Sequence, residues 1–273
     1  MSFYRPEWSK KLEFPALRLN IGSYCSLCLG RSESEIDICD ACESLLKRCL
    51  HTDRSGRTTQ VCLQCGIEQP SQVFGADRSQ GTDNAESKRW SSDGCCRECR
   101  RDGSVFSRII APYRYSFPLD KLIRVLKYRE NRQIGRVLGC LLARSVRSRQ
   151  GDQGLPDYLL PMPLHPDRQA SRGYNQASDL ARWCARELGL VSWPGGACRI
   201  VDTGSLAGLS RAERQYRILG AFRADQAVQG KRIAIVDDVL TTGSTSRELA
   251  RELYDTGAES VELWVLARTS NDL

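Results

Sequence analysis

Two adjacent carboxylates precede a run of hydroxyl side chains around one glycine near the end of the chain. Asp237 and Asp238 follow directly on the apolar residues 233–236. The hydroxyl-rich run consists of Thr241, Thr242, Gly243, Ser244 and Thr245. A strand that carries the acids to the carboxyl edge of an α/β sheet lets them accept hydrogen bonds from vicinal ribose hydroxyls. Backbone amides at the start of the next helix bind anions, so the segment predicts a ribose phosphate site.

An ordinary strand–turn–helix with Thr245 as the helix N-cap is the alternative interpretation of this segment. It leaves the pair of acids at the strand end without a role. Two other phosphate-binding patterns, G-x-x-x-x-G-K-[ST] and G-x-G-x-x-G, do not occur in the sequence. The sugar-phosphate interpretation therefore accounts for more of the segment than the alternative does.

A second basic segment follows the apolar strand predicted at residues 158–160. It begins Pro-Met-Pro-Leu-His-Pro and continues through Arg168 and Arg172. As a loop at the same sheet edge, it would offer two guanidinium groups to a diphosphate, whose oxygens they bind bidentately. A rigid proline-rich turn with solvated arginines is the alternative, and His165 is at least as easily a structural residue as a functional one.

A third basic stretch, residues 209–217, includes Arg214 and lies between predicted sheet elements. One interpretation is a mobile lid that closes over a diphosphate and excludes water. The other is a solvated helix. Lys127, further upstream, either faces the same site or is a surface lysine.

These segments resemble known proteins. Residues 236–245 are similar to the phosphoribosyl-pyrophosphate (PRPP) motif of type I phosphoribosyltransferases, and residues 22–270 as a whole resemble the ComF family of competence-associated proteins. The matching segments are Leu126-Lys127-Tyr128, Pro161-Met162-Pro163-Leu164-His165 with Arg168, Arg172-Gly173-Tyr174-Asn175-Gln176, Leu209-Ser210 with Glu213-Arg214, and the Asp237-Asp238 loop.

The resemblance implies specific roles for the matched residues. It implies that Asp237 and Asp238 hold the ribose 2′- and 3′-hydroxyls and that residues 241–245 hold the 5′-phosphate. It also implies a phosphoribosyltransferase linked to the uptake of external DNA. Mg²⁺ is expected to accompany PRPP, bound to substrate oxygens more than to the protein.

The first third of the chain contains four C-x-x-C pairs. They are Cys25/Cys28, Cys39/Cys42, Cys62/Cys65 and Cys96/Cys99. Zinc takes four ligands in a tetrahedron, so eight thiolates predict two closed, structural zinc sites; disulfides or unpaired thiols are the alternative. The ten-residue gap from Cys28 to Cys39 suits one site from the first two pairs, but an interleaved arrangement stays open. The spacing favours Cys96 over Cys95.

Composition and charge constrain the partners. The net charge is +7, and residues 107–273 carry all of the excess, with 25 Lys/Arg against 18 Asp/Glu. A basic surface suits nucleic acid, but it equally suits a phosphate-rich small ligand. Apolar runs fall short of the ~18 residues of a membrane helix, and the N-terminus lacks a signal-peptide core. We therefore expect a cytoplasmic protein without membrane insertion.

Composition also divides the chain into three parts. We predict an N-terminal arm at residues 1–19 and a double zinc-ribbon module at residues 20–106, with a polar and therefore flexible insertion at 71–94. Residues 107–273 show an α/β pattern. Apolar side chains recur at helical spacing in three places, and two short apolar runs, at 232–236 and 261–267, flank a predicted helix at 245–256. The predicted fold class is α/β, a type I phosphoribosyltransferase-like parallel sheet flanked by helices, preceded by the Cys-rich module.

Two functions are consistent with these patterns. The first is transfer of a pentosyl group from PRPP to an unknown nitrogen acceptor. The second is a non-catalytic protein of the competence machinery that senses PRPP or binds single-stranded DNA. The sequence identifies neither an acceptor nor an oligomeric state, and it shows no basic stretch interleaved with aromatic residues of the kind that stacks bases.

Overall fold

The computed structural model describes residues 23–49, 105–128, 131–149, 154–204 and 211–269. The strands are β1 (Ser23–Tyr24), β2 (Arg31–Ser32), β3 (Arg108–Ile110), β4 (Tyr113–Arg114), β5 (Tyr158–Pro161), β6 (Val191–Ser192), β7 (Ala197–Arg199), β8 (Phe222–Ala224), β9 (Arg232–Leu240) and β10 (Ser260–Arg268). The helices are α1 (Asp40–Ser44), α2 (Leu119–Tyr128), α3 (Arg132–Arg147), α4 (Pro166–Arg172), α5 (Gln176–Leu188), α6 (Arg211–Ile218) and α7 (Ser244–Asp255). None of these described helices is long and apolar enough to cross a lipid bilayer.

A parallel sheet forms the centre of the molecule. Its strand order is β3–β10–β9–β5–β6, and β4 continues beside β10 after β3. Each of the described pairings in this sheet is parallel. Strand β9 therefore lies between two parallel neighbours, and its carboxyl end meets that of β5 at one edge of the sheet. The predicted parallel sheet with flanking helices is confirmed.

Apolar side chains of the central strands point alternately to two cores. In β9, Ala234 and Val236 pack in the core that contains α3 and α5, whereas Ile233 and Ile235 pack in the core that contains α7. Strands buried on both faces need apolar residues in both registers. This explains the unbroken apolar run that precedes the two acids.

The helices predicted from apolar spacing are confirmed as α2, α3 and α5. The side chains of Asn131 and Asn175 cap α3 and α5 by accepting first-turn amide hydrogens, and Gly189 ends α5 in the left-handed conformation with φ 70°. The pair α3–α5 approaches closely at Gly139, where an added Cβ would lie 2.6 Å from Cβ of Trp183.

Two features differ from the sequence prediction. Strand β9 extends to Leu240 rather than ending at Val236, because β10 offers ladder partners as far as Arg268. The two-stranded antiparallel sheet of β7 and β8, called the β7–β8 hairpin below although α6 lies between its strands, was not predicted. Its strands have three residues each, too few to display a period of two in the sequence.

The first cysteine-rich residues pack directly against the sheet domain. Arg48 forms an antiparallel bridge with Tyr113 of β4, and the carbonyl of Lys47 accepts the amide hydrogen of Arg114 at 2.8 Å. Asp37 forms an ion pair with Arg136 of α3. Residues 23–49 thereby share a core with α3. The predicted arm 1–19 and the predicted insertion 71–94 lie outside the described residues.

Candidate functional site

A cleft of about 530 Å³ lies at the carboxyl edge of the sheet. It collects residues from α2, from the segment after β5, from β7 and from the β9–α7 turn. The sequence-predicted residues that line it are Lys127, Arg168, Arg172, Asp237, Asp238, Thr241, Thr242, Gly243, Ser244 and Thr245. Arg214 belongs to α6, but its side chain lies outside the described part of the structure, as do Leu209 and Ser210.

The two acids have different surroundings. Asp238 is buried, and its Oδ2 lies 2.8 Å from Nζ of Lys127. Burial acts against the charged form of Lys127, but the carboxylate of Asp238 outweighs it and raises the pKa of the lysine. Asp237 is partly exposed, and its Oδ1 accepts the amide hydrogen of Asp238 at 2.8 Å. Burial of its carboxyl group, and then the charge of Asp238, raise the pKa of Asp237 to about 8.

The turn after β9 presents a helix N-terminus to the cleft. Gly243 is the N-cap of α7 and adopts the left-handed conformation with φ 74°, which an L side chain rarely adopts. Thr245, the N-cap of the alternative interpretation, therefore lies inside the helix. Among the described residues, no side chain caps the first-turn amides. Amides in this position, together with the helix dipole, can bind an anion.

The segment after β5 supplies a basic wall. His165 caps α4, because its Nδ1 accepts the amide hydrogen of Asp167 at 3.4 Å, so this histidine has a structural role. Arg172 donates through Nη1 to Oε1 of Gln176 at 2.7 Å and lies 5.9 Å from the ring centroid of Tyr128. These contacts orient one guanidinium toward the cleft, while Arg168 stands exposed at its edge.

Sequence reasoning missed Arg199, the last residue of β7. Its side chain is buried and lines the cleft. Within the short strand, the neighbouring Cys198 points outward and Ala197 inward. Strand β7 has only three residues and cannot be recognised from the sequence. Nothing in the sequence therefore indicates that Arg199 is buried. Only the folded structure shows that β7 brings Arg199 to the cleft.

The first four paired cysteines form one cluster. The sulfur atoms of Cys25, Cys28, Cys39 and Cys42 all lie within 4.8 Å of one another, and those of Cys28 and Cys39 are 3.8 Å apart. Sulfurs about 2.3 Å from a tetrahedral zinc ion lie about 3.8 Å apart, so the cluster can bind structural zinc. The predicted ligands Cys62, Cys65, Cys96 and Cys99 lie outside the described residues.

Backbone amides support a thiolate in this cluster. The amide of Leu27 lies 3.5 Å from Sγ of Cys25 and donates to it. Burial acts against the thiolate, but amides of Cys39, Cys28 and Leu27 outweigh it and lower the pKa of Cys25 to about 6. A thiolate is the form that binds metal, so the local backbone favours ligation.

Comparisons with known proteins identify relatives across nearly the whole chain. It is 30% identical to the DNA utilization protein YhgH of Escherichia coli K12 over 255 residues, which cover 92% of this chain and 99% of that one. It is 33% identical to competence protein F of Haemophilus influenzae over 178 residues, 63% of this chain and 78% of that one. A solved glutamine PRPP amidotransferase from B. subtilis is 24% identical, with a TM-score of 0.32. The match covers 47% of this chain and 25% of that one. No family model matches the chain.

The cysteine cluster yields a prediction on metal content. Replacing Cys39 with Ser removes one of four ligands, so the variant should hold one zinc ion fewer per chain than the parent and unfold at lower denaturant concentration. Zinc measured by inductively coupled plasma mass spectrometry gives the stoichiometry. Cys198→Ser, at an exposed cysteine of β7, is the control and should keep the parental content. Equal zinc in parent and Cys39→Ser would refute a site at this cluster.

The acids yield a prediction on stability against pH. A carboxyl group whose pKa is raised from 3.8 to about 8 holds its proton more tightly in the native state, so its contribution to stability falls as pH rises through that range. Asp237→Asn should therefore be more stable than the parent at about pH 8, and the difference should vanish near about pH 4. Urea unfolding at several pH values measures it.

Asp238→Asn should change stability in the opposite direction in the same unfolding experiment. Asp238→Asn leaves the Lys127 ammonium half-buried without its carboxylate and should lower the free energy of unfolding at about pH 8. Identical pH profiles for Asp237→Asn and the parent would contradict the raised pKa.

Proposed function

This chain belongs to the ComF family, that of competence protein F and its relatives, and we propose that its cleft binds PRPP or ribose 5-phosphate with Mg²⁺ and transfers the pentosyl group to a nitrogen acceptor. One observation carries the proposal. Two acidic side chains, the N-terminus of α7 and the basic side chains of Arg168 and Arg172 all line the same cleft. A ribose phosphate needs hydrogen-bond acceptors for its hydroxyls and donors for its phosphate, and this arrangement supplies both.

Each part of the ligand has a complementary part of the cleft. The 5′-phosphate binds the amides at the start of α7 and the hydroxyls of residues 241–245. The ribose hydroxyls donate to Asp237 and Asp238. Lys127 holds the carboxylate of Asp238 in place through the 2.8 Å ion pair. The guanidinium groups of Arg168 and Arg172 bind the diphosphate.

Mg²⁺ fits the donor set, since carboxylate and phosphate oxygens are the hard ligands it prefers. Asp237 and Asp238 would hold it through the ribose hydroxyls, and when bound it supplies positive charge to the diphosphate. The cluster of Cys25, Cys28, Cys39 and Cys42 lies apart from the lining of the cleft. Its zinc is therefore structural in this proposal, and a second zinc would bind Cys62, Cys65, Cys96 and Cys99.

The proposed reaction breaks the bond between ribose C1 and a diphosphate oxygen and forms a bond between C1 and the acceptor nitrogen. The diphosphate leaves with the electron pair, and the nitrogen loses its proton. The protein residues orient the sugar and neutralise the departing charge, which are the two contributions that positioning and fixed dipoles make to such a step.

The proposal includes the division of the chain and its biological setting. Residues 107–273 act as the phosphoribosyltransferase domain and residues 20–106 as the zinc-binding module. The relatives are a competence protein and a DNA utilization protein, and these names support a role in the handling of imported DNA inside the cell.

Binding of PRPP tests the proposal directly. The parent should bind PRPP in the presence of Mg²⁺, and Asp237→Asn/Asp238→Asn should weaken binding at least about 100-fold, because both carboxyl groups that accept the ribose hydroxyls are lost. Isothermal titration calorimetry measures both. Asp255→Asn, at an exposed acid at the end of α7, should bind as the parent does. A parent that releases no heat with PRPP would refute the function, and pyrophosphate release across a set of nitrogen bases identifies the acceptor.

A separate observation favours a second candidate function, the binding of single-stranded nucleic acid. Three guanidinium groups surround the ring of Trp183 on the outer side of α3 and α5. Those of Arg136, Arg182 and Arg186 lie 6.0, 5.5 and 5.3 Å from its centroid. An aromatic ring among cations is the combination that stacks bases and binds phosphates. Arg182, Trp183 and Arg186 all belong to α5, and only Arg136 comes from α3. The sequence prediction passed over this short segment, and the third cation becomes visible only in the structure.

Gel mobility of a labelled single strand at low salt tests this candidate. Arg182→Gln/Arg186→Gln should weaken binding roughly 10-fold or more, since two phosphate-binding cations are lost, and higher salt should weaken the parent in the same way. Arg223→Gln/Arg251→Gln removes two exposed arginines elsewhere and is the matched control. Asp237→Asn/Asp238→Asn should still bind DNA. Unchanged mobility with the parent would eliminate the candidate.

A further inference from the structure

Arg199 is a buried cation on the cleft without an acidic partner. Its side chain is 7% exposed. It donates through Nη2 to the hydroxyl of Thr203 and lies over the Phe222 ring, with 5.7 Å from guanidinium carbon to centroid. Its Nε is buried and has no hydrogen-bond partner among the described residues. Within the same residues no carboxylate lies at ion-pair distance from it.

A buried guanidinium in this state is costly, because burial removes its hydration and no carboxylate among the described residues forms an ion pair with it. Burial, and then the positive charge of Arg168, lower the pKa of Arg199 from its ordinary value, and the acids Asp202 and Asp237 only partly oppose this. Arg168 of α4 and Arg199 of β7 line the same cleft. A ligand anion placed there would relieve both the lost hydration and the mutual repulsion.

We propose that Arg199 is a diphosphate-binding residue, which with Arg168 forms a two-guanidinium site that distinguishes PRPP from ribose 5-phosphate. This inference rests on the proposed function. It extends it by naming which group of the substrate the buried arginine recognises. Diphosphate offers oxygens on two phosphorus atoms, and planar guanidinium groups bind such oxygens in pairs.

The position of Arg199 separates the diphosphate from the 5′-phosphate. The 5′-phosphate has its own donors in the uncapped amides of α7. Arg199 lines the cleft together with Arg168 and Asp237, the acid proposed to hold a ribose hydroxyl. In PRPP the diphosphate is attached to C1, next to the hydroxyl-bearing C2, whereas the 5′-phosphate is at the far end of the sugar. The anion beside Asp237 and Arg168 is therefore the diphosphate.

Three ligands tested against one variant separate the outcomes. Calorimetric titrations of the full chain with Mg²⁺ use PRPP, inorganic pyrophosphate and ribose 5-phosphate. Arg199→Gln should weaken PRPP and pyrophosphate roughly 10- to 100-fold, because charged hydrogen bonds are lost. Its affinity for ribose 5-phosphate should stay within about 2-fold of the parent, since that ligand lacks the recognised group. Arg223→Gln, on the outward face of the same hairpin, should match the parent for all three.

Other results would overturn the inference. Equal PRPP affinity in Arg199→Gln and the parent would exclude Arg199 from the diphosphate site. If Arg199→Gln loses affinity for ribose 5-phosphate as much as for PRPP, the side chain has only a structural role, through its contacts with Thr203 and Phe222. Arg199→Lys keeps the charge with less disturbance to packing, and it should fall between the parent and Arg199→Gln for PRPP. A parent that binds ribose 5-phosphate but discriminates against PRPP would refute this inference alone, whereas a parent that binds neither refutes the proposed function with it.

Discussion

The parallel pairing of β9 on both of its sides is the constraint on which the site depends. Hydrogen bonds to β10 continue through Leu240, beyond both acids, and those to β5 reach Val236. The ladder therefore fixes the backbone of Asp237 and Asp238 before any ligand arrives. It also fixes where the turn begins, so that Gly243 can start α7 with its amides toward the cleft. The same pairing brings the segment after β5, with Arg168 and Arg172, to the opposite wall.

Charge in the cleft is balanced only in part by the protein itself. Lys127 neutralises Asp238 at 2.8 Å, and this pair survives burial because each partner stabilises the charge of the other. Asp237, for which the described residues provide no cation at that distance, holds its proton into the neutral range. Arg199 is buried against the Phe222 ring, and no carboxylate among the described residues forms an ion pair with it. A ligand that carries hydroxyl donors and anionic groups complements this pattern, because it supplies what each of these side chains lacks.

The sequence allowed prediction wherever a local rule governs the structure. Apolar spacing located α2, α3 and α5, since their apolar side chains recur at helical spacing and are buried in one core. The adjacent acids and the hydroxyl run around Gly243 located the cleft. Features set by distant pairing were out of reach. The extension of β9 depends on the length of β10, the burial of Arg199 depends on a hairpin of three-residue strands, and the arginines around Trp183 come from two helices. Such features require the topology first.

The metal cluster and the cleft are parts of one cooperative structure. Cys25 and Cys42 are buried in the core that also contains Ile123 and Leu126 of α2, and Lys127 follows Leu126 directly. Residues 23–49 therefore fold against the same core that positions the lysine. If the cluster binds zinc as proposed, this segment would gain much of its folding free energy from the metal, and loss of the ion would loosen the packing beneath α2. The ion pair between Lys127 and Asp238 would then weaken, although the metal contacts neither residue.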